Sequence, residues 1–283
     1  MIPALYLAGV MKEFPGLNRA ELEFLLAELL ACRRSELPLR LVSDEVSQAM
    51  MPLVVRLAAG EPLASILGYA DFMDLRLKVS PAVLVPRADT EWLMASLFEH
   101  WHGPGPRRIL DLGTGSGAML LAALDHWPEA EGVGIDVDAA ARAVARANMR
   151  ALGFEERAEI LPGHWFDGAD GMFDLILANP PYVALDDPEL EGRARQYEPA
   201  LALFADDAGM ADIRHIIDQS PQYLRPGGCM LVECGHRQVA DLVTLMEDRG
   251  FEEPLALHDG AGRPRGALAR LGRDGLASMG KLP

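Results

Sequence analysis

The segment Asn179-Pro180-Pro181-Tyr182 places an amide, two rings and an aromatic side chain directly after the apolar run Leu175-Ile176-Leu177-Ala178. Such a run reads as a parallel strand covered on both faces, and ligands of open α/β sheets collect outside the carboxyl ends of these strands. Asn179 is therefore expected at the mouth of a site. Proline fixes φ and lacks an N–H, so the carbonyls of Asn179 and Pro180 fall outside a regular ladder and can face a guest. The guest that fits is a planar NH2 group. Its two N–H donors match the Asn179 side-chain oxygen and a backbone carbonyl, with Tyr182 against its flat face. The competing reading is a strand-ending turn without a ligand, because Asn-Pro and Pro-Pro are also ordinary punctuation.

A second cluster lies earlier. Asp111-Leu112-Gly113-Thr114-Gly115-Ser116-Gly117 ends one apolar strand and opens into a helix. Its glycines permit a tight turn and let a ligand approach the backbone. An acid about 20 residues further on raises the value of such a turn. That acid is Asp136 in Gly134-Ile135-Asp136-Val137-Asp138, at the end of the next strand, where a carboxylate can accept from both hydroxyls of a ribose. The alternatives are a bare turn for the glycines and a helix N-cap for Asp136. The spacing departs from the dinucleotide fingerprint G-x-G-x-x-G, whose third glycine sits one residue further along. It resembles instead motif I of the class I S-adenosylmethionine methyltransferases. Together with the segment at Asn179 it resembles the amino-methylating branch of that superfamily, whose targets are NH2 groups on adenine, cytosine or glutamine.

The resemblance narrows on further stretches. Gly60-Glu61-Pro62-Leu63, Ile66-Leu67-Gly68, Phe72, the run from Lys78 to Glu91 around Pro86-Arg87, and Tyr197-Glu198-Pro199-Ala200-Leu201-Ala202-Leu203 are similar to the release factor glutamine methyltransferases over nearly the whole chain. That resemblance implies S-adenosyl-L-methionine held by Gly113, Thr114, Gly115, Ser116, Gly117 and Asp136, with Trp165 on the adenine side and Asn179 touching both cofactor and substrate. Pro180, Pro181 and Tyr182 would complete the substrate clamp, with Asn179, Pro180 and Tyr182 as the catalytic set. The implied partners are class I peptide chain release factors, methylated at the glutamine of their Gly-Gly-Gln tip. Two positions depart from the family's pattern. His164 stands where an acid usually precedes the Trp-Phe pair, and Ser65 where a tyrosine usually stands before Ile66-Leu67-Gly68. Related ribosomal-protein glutamine methyltransferases share the asparagine motif but differ at the counterpart of Ala88-Asp89-Thr90-Glu91.

These groups need a scaffold. Up to about Leu67 the chain reads as helices: Leu22, Leu25, Leu26, Leu29 and Leu30 recur at helical spacing behind the N-cap candidate Asn18, and further segments run over 44–51 and 52–59. Leu75, Leu77 and Val79 alternate with charged residues, and a hairpin is expected between them and Val83-Leu84-Val85. Asp89 is a candidate cap for the helix carrying Trp92, Leu93, Leu97 and Trp101. From Arg107 strands and helices alternate, with strands expected over 109–112, 133–137, 158–161, 173–178 and 229–233 and a closing antiparallel pair over 255–258 and 267–271. The expected fold class is α/β: a Rossmann-like class I methyltransferase sheet, mostly parallel, with a small N-terminal helical domain and a β-hairpin linker. Residues 1–69 are assigned to the helical, partner-docking domain, 70–88 to the linker, 89–272 to the methyltransferase domain and 273–283 to a loose tail.

The chain has 283 residues, enough for two domains, and a net charge of −16. That charge opposes a protein that grips nucleic acid by its phosphates, which requires a basic surface. Cys32, Cys229 and Cys234 form no C-x-x-C pair, and the sequence carries neither a signal segment nor a long apolar span. A reduced, cytoplasmic, soluble protein is expected, monomeric and without direct nucleic-acid or membrane binding. His100 and His102 flank Trp101 without a third ligand, so no metal is expected. Cys229 and Cys234 read as core, and Arg263 and Arg265 as loop residues or partner contacts. Open alternatives are a ribosomal-protein glutamine methyltransferase, an amino-directed nucleic-acid methyltransferase and a non-catalytic release-factor-binding protein. A nicotinamide oxidoreductase is disfavoured by the glycine spacing.

Overall fold

The structure is a computed structural model that describes residues 1–184, 197 and 199–273. The chain divides into two units, Met1–Tyr69 and Ala70–Pro283. In the first, helices α1 (Pro3–Glu13), α2 (Arg19–Leu29), α3 (Asp44–Ala58) and α4 (Leu63–Leu67) surround a core built on Leu22, Leu25, Leu26, Met50 and Val54. The Asn18 side chain accepts from the N–H of Ala20 at 2.8 Å, capping α2 as its position suggests. The expected division into two helical segments does not occur. The segments 44–51 and 52–59 are one helix, with Pro52 inside it. Pro52 stands on the exposed face, where a lost backbone bond is replaced by water, and burial of Met50, Val54 and Leu57 holds the helix together.

A two-stranded sheet of β1 (Tyr69–Phe72) and β2 (Leu75–Lys78) follows in the chain. The hairpin expected with Val83-Leu84-Val85 does not form. Met73 takes a positive φ of 52°, which makes the short connection between β1 and β2 possible, so β2 pairs with the strand before it. Residues 81–85 instead form a turn and loop in which Val83 is buried. Helix α5 (Ala88–His100) follows, and its N-cap is Arg87 rather than Asp89. Asp89 lies in the first turn, where its charge suits the helix dipole, and its carboxylate pairs with Arg265 Nε at 3.1 Å.

Strands β3 (Arg108–Leu112), β4 (Glu131–Asp136), β5 (Ala158–Pro162), β6 (Phe173–Ala178), β7 (Leu224–Glu233), β8 (Phe251–His258) and β9 (Pro264–Leu271) form one sheet in the order β5-β4-β3-β6-β7-β9-β8. The first five run parallel, and β9 lies antiparallel to both β7 and β8. Residues alternate across β6: Leu175 and Leu177 pack on one face with Leu120 and Leu124 of α6 (Ala118–His126), Ile176 on the other with Ile213, Ile216 and Ile217 of α8 (Ala211–Gln219). Helices α7 (Ala139–Ala151) and α9 (Val239–Asp248) complete the layers. The fully covered central strands explain why their sequences read as unbroken apolar runs. The chain order reverses at β3, flanked by β4 and β6, and Leu112 aligns with Ile135 on one side and Ala178 on the other. That register delivers Gly113, Asp136 and Asn179 to one edge of the sheet, at its topological switch point. From residue 274 onward the expected loose tail lies outside the described residues, as does Glu198.

Candidate cofactor and amide site

The loop leaving β3 has positive φ at Gly113 (69°), Gly115 (55°) and Gly117 (84°). At Gly113 a side chain would meet more than strain: a Cβ there would lie 3.3 Å from the Trp165 ring. The loop is stitched to β4 by the Thr114 N–H donating to the Ile135 carbonyl at 2.9 Å. Asp136 completes the cradle. One of its carboxylate oxygens accepts from the Gly115 N–H and the other from the Asp138 N–H, both at 2.9 Å. Each oxygen keeps a lone pair for one hydroxyl of a vicinal diol. The helix-capping alternative passes to Asp138, whose side chain accepts from the N–H of Ala140 at the start of α7.

Gly113, Thr114, Gly115, Ser116, Asp136, Trp165, Asn179 and Pro181 line a single cavity, together with His164. Gly117, Pro180 and Tyr182 do not line it: Gly117 packs toward Leu121, Pro180 is buried beside the mouth, and Tyr182 turns its hydroxyl to Glu233. Trp165 adopts a φ of 53°, an unfavourable value for a bulky side chain that persists where the surroundings over-determine it. Its indole N–H donates to Asp212 of α8 at 3.1 Å, which fixes the ring over Gly113.

At the far side of the cavity a chain of polar groups is buried. The Glu233 carboxylate accepts from the Thr90 hydroxyl at 2.7 Å and from the Tyr182 hydroxyl at 3.3 Å. Asn179 donates through Nδ2 to Thr90 Oγ1 at 3.5 Å. Burial and the nearby Glu233 charge hold the Tyr182 phenol well above its ordinary range, so it stays protonated. The backbone behind it is anchored by Gln238, which donates to the carbonyls of Tyr182 and Ala208, both at 3.0 Å.

Sequence reading gave no role to Asp111, nor to Thr90, Asp212 and Glu233, whose partners lie far away in the chain. Asp111 carried one local signal, an acid immediately before the glycine turn. It is 2% exposed and faces the cavity, its carboxylate accepting from the Thr114 hydroxyl at 2.7 Å. Burial pushes its carboxyl up to about 7. Cys229 and Cys234 are buried, their thiols pushed up to about 11 and about 12 by desolvation, consistent with core residues rather than nucleophiles. Arg265 is engaged by Asp89 and Asp259, both at 3.1 Å.

A glycine loop and a ribose-type acid at the switch point, facing an Asn-Pro-Pro-Tyr segment after β6, define a class I S-adenosylmethionine-dependent methyltransferase. Residues 89–193 match the family described as methyltransferase small domain, and residues 15–68 the PrmC N-terminal domain. The release factor glutamine methyltransferase of Vibrio cholerae is 38% identical over 90% of each chain, and that of Aliivibrio fischeri 37% identical over 82% of each. A crystal structure of a methyltransferase from Pyrococcus furiosus shares the fold, with a TM-score of 0.53 at 15% identity over 80% of this chain and 99% of that one. The chain belongs to the release factor glutamine methyltransferase family.

The site fits S-adenosylmethionine on its own chemistry: a bare backbone cradle, a carboxylate with two free lone pairs, and a buried acid able to offset positive charge. A ligand carrying ammonium and sulfonium groups favours ionised Asp111, so its binding below pH about 7 should release a proton. Cofactor affinity should accordingly strengthen as pH rises toward about 7 and level off above it, where Asp111 is already ionised in the free protein, and Asp111→Asn should flatten the slope. Titration calorimetry in two buffers of different ionisation enthalpy checks this, and an identical slope in the variant would assign the proton elsewhere.

Proposed function

We propose that the protein places one methyl on the side-chain amide nitrogen of the glutamine in the Gly-Gly-Gln motif of class I peptide chain release factors, with Asn179 holding that amide. The observation carrying this reading is the Asn179 side chain, whose NH2 is engaged by Thr90 at 3.5 Å while the residue lines the cavity shared with Asp136. Its oxygen is thereby left to accept from a guest NH2.

An amide nitrogen is a poor nucleophile because its lone pair is delocalised into the carbonyl. Bound S-adenosylmethionine supplies an electrophilic methyl. The protein's own part is positional: Asn179 Oδ1 accepts from an N–H group of the amide, fixes its plane, and stabilises positive charge growing on nitrogen. Alignment alone contributes as much as ~7 to 11 kcal/mol in favourable cases, so no strong base is needed before transfer; the methylated nitrogen, cationic and strongly acidic, then loses its extra proton to solvent as the product leaves. Pro181 narrows the mouth and excludes water, with Tyr182 held outside the lining by Glu233. Gly113 to Gly117 and Asp136 hold the cofactor, and Trp165, fixed by Asp212, lines its adenine side with His164 nearby.

Residues 1–69 are assigned to docking of the folded partner. Among them Leu39 is 85% and Leu41 70% exposed, apolar surface with no role in the core of that unit. Changing both to serine should raise KM for intact release factor while leaving cofactor affinity and turnover of a Gly-Gly-Gln peptide unchanged. An unaltered KM would remove this surface from the interface. No helix among the described residues is long and apolar enough to cross a membrane, and the reading assigns a monomer acting in the cytoplasm, where translation proceeds.

The direct test supplies labelled cofactor to a mixture of class I release factor, ribosomal proteins and DNA. Label is expected in the release factor, and preferential labelling of ribosomal protein or DNA would overturn the reading. The net charge of −16 already opposes the nucleic-acid outcome.

A further inference from the structure

The geometry points to Glu233 and Thr90 as positioning residues that fix which way round the Asn179 amide stands, making the site select an NH2 group over a carbonyl or carboxylate oxygen. This rests on the reading of Asn179 as the residue that holds the substrate amide.

The two ends of an asparagine amide have nearly the same shape and opposite chemistry. With its oxygen toward the cavity Asn179 accepts from an NH2 group. With its nitrogen there it donates, and a glutamate or a backbone carbonyl fits instead. Something must set the choice. Thr90, 4% exposed in the first turn of α5, has a single hydroxyl hydrogen, and that hydrogen is directed to Glu233 Oε2 at 2.7 Å. Toward Asn179 the hydroxyl can then act only as an acceptor, so it draws the NH2 end to itself.

Glu233 is the source of this polarity. It is 1% exposed at the last position of β7, and receives both the Thr90 and the Tyr182 hydroxyls. Burial raises its carboxyl above the usual range. A proton on Oε1, toward Tyr182, would leave Oε2 an acceptor for Thr90 all the same. A buried acid is costly to keep. Orienting a hydroxyl, and through it an amide, is a role that an apolar residue cannot fill.

The test compares Thr90→Ser, Thr90→Val, Glu233→Gln and Asn179→Ala in the full chain, with kcat and KM measured on intact release factor, cofactor affinity by calorimetry, and folding by circular dichroism. A glutamine at 233 can donate to Thr90, freeing the hydroxyl hydrogen for Asn179 and permitting the flipped amide. Thr90→Val and Glu233→Gln should each lower kcat about ten- to thirtyfold, the loss of one oriented hydrogen bond, with cofactor affinity unchanged. Thr90→Ser should restore turnover although it loses the methyl group that valine keeps. A packing role would give the opposite order. In an Asn179→Ala background Thr90→Val should cost nothing further, because the group it orients is gone.

A valine variant as active as the serine variant, full turnover in Glu233→Gln, or an undiminished valine effect without Asn179 would overturn the inference while leaving the role of Asn179 standing. Unchanged turnover in Asn179→Ala would remove both. Should Glu233→Gln fail to fold, the serine and valine pair at position 90, which differ little in volume from threonine, decides alone.

Discussion

Asn179→Ala is expected to lower turnover about 10²- to 10³-fold while cofactor affinity changes far less, by analogy with the removal of one preorganised transition-state hydrogen bond. The side chain stands where β6 opens into two residues without backbone N–H groups, and its amide is held at the nitrogen end by Thr90. Loss of its oxygen leaves the substrate amide one acceptor short and free to rotate. Asn179→Asp is the more diagnostic change, because a carboxylate keeps the acceptor but adds charge and basicity. If positioning carries the reaction, this variant retains measurable activity and does not become faster at high pH. A rate that climbs with pH would instead point to base catalysis, and equal losses of turnover and cofactor affinity would make Asn179 a general structural support.

Asp136→Ala is expected to weaken cofactor binding roughly ten- to hundredfold, a net loss of about 1.4 to 2.8 kcal/mol. Two charge-assisted bonds to a ribose would go, each ~1.5 to 3 kcal/mol before water restores part of the loss. The same carboxylate holds the Gly115 and Asp138 N–H groups. The alanine therefore also loosens the glycine loop, and Asp136→Asn, which keeps one oxygen acceptor, should fall between alanine and the natural residue. Calorimetry measures both. Unchanged affinity in the alanine variant would remove Asp136 from the site.

The residues assigned to the proposed site were legible because the fold encodes them locally. An apolar strand, a sharp stop and a polar group at its carboxyl end occur within a few residues at Asn179, Gly113 and Asp136, and parallel-sheet geometry then brings three such ends to one edge. The residues that support them were not legible, because their meaning is a distant contact. Thr90 and Glu233 are 143 residues apart, and Trp165 and Asp212 are 47 apart. Asp111 was visible as an acid before the glycine turn, but its burial, and hence its altered proton affinity, is a property of the packed sheet. The errors have the same origin. The alternation over 75–79 identified a strand without naming its partner, which a positive φ at Met73 decides. Asp89 had the chemistry of a cap, yet Arg265 from β9 supplies its partner. Pro52 reads as a break until an exposed position and a buried opposite face are taken into account.

Transfer of a single methyl to one amide nitrogen is read out by mass spectrometry of a class I release factor after incubation with the protein and labelled cofactor. The expected result is one methyl on the glutamine of the Gly-Gly-Gln motif, and none when that glutamine is replaced by glutamate, which keeps the shape but has no NH2. Methylation of the glutamate variant, or of a site outside that motif, would contradict it.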